Sequence, residues 1–169
     1  MTMLLLRLVH IVIGTFWVGS VIFTTFFLFP SLLGNPAAMG TVMQGLNRRK
    51  LMQVLPTAAL VTMVSGLWMV WITSGGDIGG YVQSRSGHSF VTAGGLAIFA
   101  FLLGFIFARP AGIKAGQLGA QMAATTDAGT RTQLQAEMTA LQKRAGTITV
   151  VVALLLIIAA AGMAVARYI

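Results

Sequence analysis

A histidine, a glycine and a tryptophan share one face of the first apolar stretch of this chain, and they are the residues best placed to do chemistry. His10, Gly14 and Trp17 follow the spacing i, i+4, i+7, which places them on one side of a helix. A glycine one turn from an imidazole leaves room beside the ring. That room would suit a flat macrocycle, and it would equally suit close packing of another helix.

The other histidine of the chain begins a similar row on a later apolar stretch. His88, Thr92, Gly95 and Phe99 follow i, i+4, i+7, i+11, so a small residue again lies below an imidazole. Two neutral imidazoles from separate helices are suited to hold the iron of haem b. The sequence therefore predicts a haem b site in which His10 is one axial ligand and His88 is the candidate for the second. The alternative is that both histidines are structural, as hydrogen-bonded residues near the membrane interface.

The segments that carry these rows are long and apolar. The chain has 169 residues, of which 57% are hydrophobic and 8% are charged, and its mean hydropathy is +0.88. These values are typical of a multi-pass membrane protein. We expect a single all-α transmembrane domain, residues 1–169, that forms a four-helix bundle with spans at about 4–33, 51–73, 88–108 and 148–165.

The connections between the spans differ in character. Residues 35–50 are polar and strongly basic at their end, and we expect a loop with one interfacial turn there. Residues 74–87 are rich in glycine and serine, which predicts a turn-forming loop. The segment at about 114–145 has scattered charges, with Leu134, Met138 and Leu141 at helical spacing. It predicts an amphipathic cytoplasmic helix that lies on the membrane surface or extends beyond it, before the last span.

Basic residues predict the orientation of the spans. The first and third loops carry most of them, namely Arg48, Arg49, Lys50, Arg109, Lys114, Arg131, Lys143 and Arg144. The other side has Arg7, Arg85 and Arg167. By the positive-inside rule, the chain lies in the inner (cytoplasmic) membrane with both termini outside. This distribution accounts for the net charge of +8 without nucleic acid as a partner, and it places Arg7 and Arg85 where haem propionates would emerge.

Several kinds of chemistry are poorly supplied. Cysteine is absent, which excludes disulfides and thiolate metal sites. The acidic residues are Asp77, Asp127 and Glu137, all in predicted connections, so no carboxylate is expected within a span to relay protons. Copper is the competing metal, because the ten methionines supply thioethers that suit Cu(I). Methionine more often fills gaps in a core, however.

A third possibility is a non-catalytic accessory subunit. Ala100, Gly104 and Ala108 are spaced by four and form a small-residue face suited to helix contacts. Such a face would dock another membrane subunit, or a second copy of the chain. Haem b, copper and no cofactor at all are thus three separate predictions.

The chain also resembles a known superfamily along most of its length. The stretches LLRLVHIVIGTFWVGSVIFTTFFLFPSL, RRKLMQVLPTAALVTMVSGLWMVW and KRAGTITVVVALLLIIAAAGMAVARYI are similar to the four-helix membrane proteins that include copper-resistance D and HemJ-type membrane protoporphyrinogen oxidase. The resemblance implies a haem-associated histidine at His10. The chain has Pro30-Ser31 and Val91-Thr92 where the oxidase has cations, which disfavours oxidation of a porphyrin substrate. The copper-resistance branch of the superfamily implies copper transport as the alternative. With haem at His10, the function that we expect is electron transfer, alone or as a subunit of a membrane redox complex.

Overall fold

The computed structural model describes residues 1–166 and 168, with the backbone alone at Pro36 and Ala37; Arg167 lies outside the described residues. The predicted all-α class is confirmed, and no strand occurs in the described part of the chain. The helices are α1 (Thr2–Leu32), α2 (Pro36–Arg48), α3 (Leu51–Thr73), α4 (Ile78–Gln83), α5 (Arg85–Ala124) and α6 (Ala128–Val165). Four of them, α1, α3, α5 and α6, are long and apolar enough to cross a membrane.

The long helices pack as two antiparallel pairs. Helix α1 lies along α3, and α5 lies along α6, with smaller contacts between the pairs. Trp17, Ala59, Ala100 and Leu156 are buried in one cluster to which all four long helices contribute. Two of these side chains are alanines, which allow close approach of the helices. We call the end that carries the N-terminus, His10 and His88 the histidine end. The opposite end contains a large cavity bounded by α2 and by the C-terminal part of α1, and we call it the cavity end.

Helices α1 and α5 each contain one π-helical turn before a proline. The turns are Thr24–Leu28 and Gly104–Ala108, and Pro30 and Pro110 follow at the same distance. A proline lacks the N–H donor and its ring clashes with the carbonyl four residues earlier, within the π turn. The preceding N–H groups, of Phe29 and Arg109, instead donate to the carbonyls five residues back. Proline therefore gives a physical reason for both irregular turns.

The first two connections, between α1 and α3 and between α3 and α5, are more helical than the sequence predicted. Residues 36–48 form α2 rather than a loop, because the Asn35 side chain accepts a hydrogen bond from the N–H of Ala38 and Pro36 occupies the first turn. Both are helix-start signals. At the histidine end, Asp77 caps the short helix α4 in the same manner through the N–H of Gly80.

The predicted surface helix at about 114–145 is not a separate element. The structure divides this segment at 125–127, and its two parts extend α5 and α6 into a hairpin. Leu118 and Met138 are buried within the hairpin, so its apolar residues cover each other. Lys114 and Glu137 form an ion pair of 2.6 Å across it. The periodicity was that of a helix, but another helix of the same chain covers the apolar face.

Candidate functional site at His10

The imidazole of His10 is held by α3. Its Nδ1 lies 2.8 Å from the carbonyl oxygen of Thr62 and 3.3 Å from the hydroxyl oxygen of Ser65. Thr62 and Ser65 are both buried. The Ser65 hydroxyl is within 2.9 Å of backbone carbonyls of its own helix, so it donates there and presents a lone pair to the ring. The histidine therefore links α1 to α3 through a polar contact inside an apolar interface.

This contact determines which ring nitrogen carries the proton. A carbonyl oxygen only accepts, so Nδ1 must be the donor to Thr62. In the neutral imidazole, Nε2 is then unprotonated and keeps its lone pair. No hydrogen bond to Nε2 occurs among the residues that the structure describes. An Nδ1–H group that donates to a backbone carbonyl is the usual outer contact of a metal-ligating histidine.

A glycine does make room for the ring, but it is Gly66 of α3. A Cβ atom built on Gly66 would lie 2.9 Å from Cε1 of His10, closer than a real side chain tolerates. Gly14, which the sequence placed beside the ring, instead makes room for Thr62, whose methyl carbon would lie 3.2 Å from a Cβ there. Of the two uses that the sequence left open for Gly14, the structure has close helix packing.

The third member of the row, Trp17, lies in the core. It is 5% exposed and packs edge-on against Phe101 of α5, with ring centroids 6.3 Å apart. Thr62 and Phe101 thus cover the lower part of the row His10, Gly14, Trp17. At the other end of the row His10 is partly buried, and Arg7, one turn toward the N-terminus, is exposed.

The second predicted row faces away from the other helices. His88, Thr92, Gly95 and Phe99 are all exposed, and nothing lies within 4 Å of a Cβ built on Gly95. The packed face of α5 contains Ala93 and Ala100 instead. Helices α1 and α5 meet at Trp17 and Phe101, whereas the contacts of His10 are with α3. The structure does not bring His88 to His10.

His88 has a different neighbourhood at the histidine end. It lines a shallow groove with Arg85 and residues 82–84, and Arg85 is exposed. Nearby on α4, partial burial raises the pKa of the Tyr81 hydroxyl. Arg7 and Arg85 are thus both available to an anion from solvent or a lipid headgroup.

The donor set fits haem iron better than it fits a bare metal ion. Within residues 1–166 and 168, no cluster of three or more His, Asp or Glu side chains is available to hold a metal. One imidazole with a defined free Nε2 is enough for one axial position of a haem. The slot expected at Gly14 is filled, so the residues that fit the group are His10 and Arg7.

The face of α3 that holds His10 was not identified from the sequence, although a signal was present. Thr62, Ser65 and Gly66 follow i, i+3, i+4, so they share a face of an otherwise apolar helix. Small and hydroxyl residues grouped in this way favour an interhelical contact. Pairing them with the single histidine of the neighbouring span would have predicted the contact.

No protein-family model, curated protein or solved structure matches this chain.

Proposed function

We propose that this chain is an integral membrane four-helix bundle that binds haem b through Nε2 of His10 and takes part in electron transfer, alone or as a subunit of a membrane redox complex. The four long apolar helices support membrane insertion. So do large apolar side chains that are more than half exposed on them, such as Leu8, Phe27, Leu67 and Ile158, because water disfavours an apolar surface of that extent.

The placement of the basic residues supports the inner membrane and the orientation expected from the sequence. Arg48 ends α2, Arg49 and Lys50 connect α2 to α3, and the hairpin of α5 and α6 extends from the same end. In this orientation the cavity end is cytoplasmic and the histidine end faces outward. The hairpin then projects from the membrane into the cytoplasm.

The observation that carries the haem proposal is the hydrogen bond from Nδ1 of His10 to the Thr62 carbonyl. It leaves the free lone pair on Nε2 and fixes the plane of the ring. Binding of a metal at Nε2 would then require neither a change of tautomer nor a loss of ring rotation. Haem b supplies reversible one-electron transfer when bound. The protein's part is to hold the ring through α3 and to offer Arg7 to a propionate.

His88 is not the second axial ligand in this proposal, because its row faces away from the other helices. In this proposal His10 would hold the haem and Arg7 would offer its charge to a propionate. This departs from the pair of histidines that the sequence predicted.

The test is a reduced-minus-oxidised visible spectrum of the purified protein in detergent after haem supplementation. We expect the Soret and visible bands of bound haem for the wild type and for His88→Gln. His10→Gln should lose both bands, because a glutamine amide still donates to the Thr62 carbonyl but offers no ligand nitrogen. In His10→Gly, added imidazole should restore them.

Full haem occupancy in His10→Gln, with its helical content unchanged, would rule out His10 as the ligand. A featureless wild-type spectrum would favour the accessory-subunit alternative, and metal analysis would then test copper. The small-residue face that suggested docking, Ala100, Gly104 and Ala108, has one buried member, and a Cβ on Gly104 would meet Val152 of α6. This contact favours a role for that face within the chain.

A further inference from the structure

A cavity of about 1780 Å³ lies at the cavity end, away from His10. It is bounded by α2, the C-terminal part of α1, the start of α3, and the hairpin of α5 and α6. Both π-helical turns contribute to its wall, through Thr24 and Thr25 on one side and Gly104 and Phe105 on the other. Most small-molecule sites are about 300–1,000 Å³, so this cavity suits a larger ligand.

The charges that line the cavity have one sign. Arg109, Arg131 and Lys143 line it, and no carboxylate among the described residues does. The chain has only three acidic side chains, and each is engaged elsewhere. Asp77 and Asp127 cap helices, and Glu137 pairs with Lys114. The cations of the cavity therefore have no acidic partner within the described chain, and an anion is the complementary ligand.

Arg109 is the cation best placed to receive that anion. Its Nε is buried and has no hydrogen-bond partner in the described chain, while its guanidinium carbon lies 5.2 Å from the centre of the Phe105 ring. A buried, charged donor without a partner is costly. Arg109 follows the π turn directly, and the extra residue in that turn rotates it by about 100° relative to an uninterrupted α-helix. The irregular turn thus directs Arg109 into the cavity.

The part of the cavity between its deep end and Arg109 matches one leaflet of a membrane. Along α5 the lining runs from Ala100 to Ala123, and its first part, from Ala100 to Arg109, is about 13 Å of helix at 1.5 Å per residue. The remaining part lies along the hairpin. Half of the hydrocarbon thickness of a bilayer is about 15 Å. The deep part is apolar and includes Trp17, whereas the cations lie toward the open end. A ligand with an anionic head and long apolar chains would match both parts.

We propose that the cavity binds one anionic phospholipid from the leaflet at the cavity end, with its phosphate on Arg109 and its acyl chains against Trp17 and Phe101. This proposal is independent of haem at the histidine end. Arg131 and Lys143 contribute further attraction at the open end. The lipid would join α2 and the hairpin to the membrane-spanning part of the molecule.

The experiment uses Trp17 as a reporter of acyl chains in the cavity. The chain has three tryptophans, and Trp68→Phe with Trp71→Phe leaves only Trp17, which is 5% exposed and thus shielded from bulk lipid. Lipids brominated along their acyl chains quench tryptophan on contact. The full-length protein in mild detergent is titrated with brominated phosphatidylglycerol, or with brominated phosphatidylcholine as the net-neutral comparison.

We expect half-maximal quenching at a roughly tenfold lower mole fraction of phosphatidylglycerol, the size of effect that a charge-assisted hydrogen bond gives. Arg109→Gln should remove that preference, and Arg85→Gln, at the other end of α5, should retain it. Gly112→Leu, which places a side chain in the cavity wall near Met52, should prevent quenching by either lipid without changing charge.

Equal quenching by the two lipids, no quenching by either, or a preference that survives in Arg109→Gln would overturn the proposal. Inorganic phosphate is included as a competitor. If it relieves the quenching, the anion site does not require acyl chains and the proposal fails in favour of a soluble phosphate ligand. None of these results depends on haem spectra.

Discussion

Where α1 meets α3, a histidine, a threonine and a serine are packed among small residues, and the histidine donates to a backbone carbonyl of the other helix. Where α5 meets α6, the contact consists of Ala93 against Gly162 and of buried Ala153, Leu156 and Ala159. Both pairs are close and antiparallel. Apart from the ion pair between Lys114 and Glu137 in the hairpin, the second pair is held by shape alone, whereas the first also positions a chemically useful nitrogen.

The comparison suggests why the polar contact lies where it does. In an apolar medium, interhelical hydrogen bonds contribute only about 0.6 kcal/mol on average, and small residues pack α5 on α6 without one. Stability alone therefore does not require His10. An ionisable residue within a membrane helix is by default a hypothesis for a functional site, so the difference between the pairs directs the search for function to the α1–α3 interface.

The largest effect is expected from Gly66→Val. The added side chain would overlap the His10 ring, because even a Cβ would lie 2.9 Å from Cε1. We expect the ring to be displaced, haem binding to be lost, and the free energy of unfolding to fall by about 1–3 kcal/mol. Unfolding in detergent and visible spectra measure these losses. Gly95→Val, at an open position of α5, is the matched control, and an equal loss in both would contradict the assignment.

A smaller effect is expected from Gly162→Ala in the second pair. The new methyl group would lie 3.2 Å from Cβ of Ala93, so the helices must separate by a few tenths of an ångström, at a cost of about 1 kcal/mol. Ala93→Gly removes the methyl group that Gly162→Ala would meet, but it has its own cost of about 1 kcal/mol in a helix. The double variant should therefore lose less stability than the sum of the two single variants, and none of them should change haem spectra. Thermal unfolding of the four proteins forms a double-mutant cycle, and strictly additive losses would show that the contact is not the cause.

Ser65→Ala should have a modest effect within the first pair. It removes the 3.3 Å contact to Nδ1 but leaves the 2.8 Å bond to the Thr62 carbonyl. We expect about 0.6 kcal/mol of destabilisation and retained haem, since the carbonyl still orients the ring. Thr62→Val, whose hydroxyl bonds to Ala58 of its own helix, is the comparison. Loss of haem in Ser65→Ala would mean that the hydroxyl, not the carbonyl, positions the ring.

The smallest effect concerns Asp127, at the tip of the second pair. The backbone N–H of Thr130 donates to its carboxylate at 2.7 Å, and this bond, aided by the Thr130 side chain, lowers the pKa of Asp127. A lowered pKa gives stability that is present above the unfolded value of about 3.9 and lost as the pH falls through the folded value. The Thr130 amide shift should follow this titration by NMR, and Asp127→Asn should not titrate. A midpoint at or above 3.9 would contradict it.

The sequence was sufficient to predict the long apolar helices, because a run of twenty or more apolar residues has few stable structures other than a long helix. It also predicted that His10 and Trp17 share a face. It could not determine what covers that face, since the partner of Gly14 depends on the rotation of α3. The row at His88 had the same spacing as the row at His10, yet it faces outward, because the alanines on the other side of α5 pack more closely on α6.

The elements at the cavity end were missed for local reasons. Asn35 and Pro36 are a helix-start signal, but the polar composition of their segment predicted a loop. Helical spacing predicted one helix at about 114–145, whereas the structure breaks it at 125–127. The π turns were also predictable from Pro30 and Pro110, whose rings affect the carbonyls of Phe26 and Ile106. That the second turn directs Arg109 into the cavity could be seen only in the structure.

Those two turns also affect how the protein can change over generations. A turn that already holds one surplus residue can lose it and become an ordinary α-turn, which would rotate everything beyond it by about 100° while leaving the other end in place. Deletions in Thr24–Leu28 or Gly104–Ala108 would therefore re-aim the cavity residues and spare the packing around His10. The two ends of one helix can in this way acquire new binding properties separately.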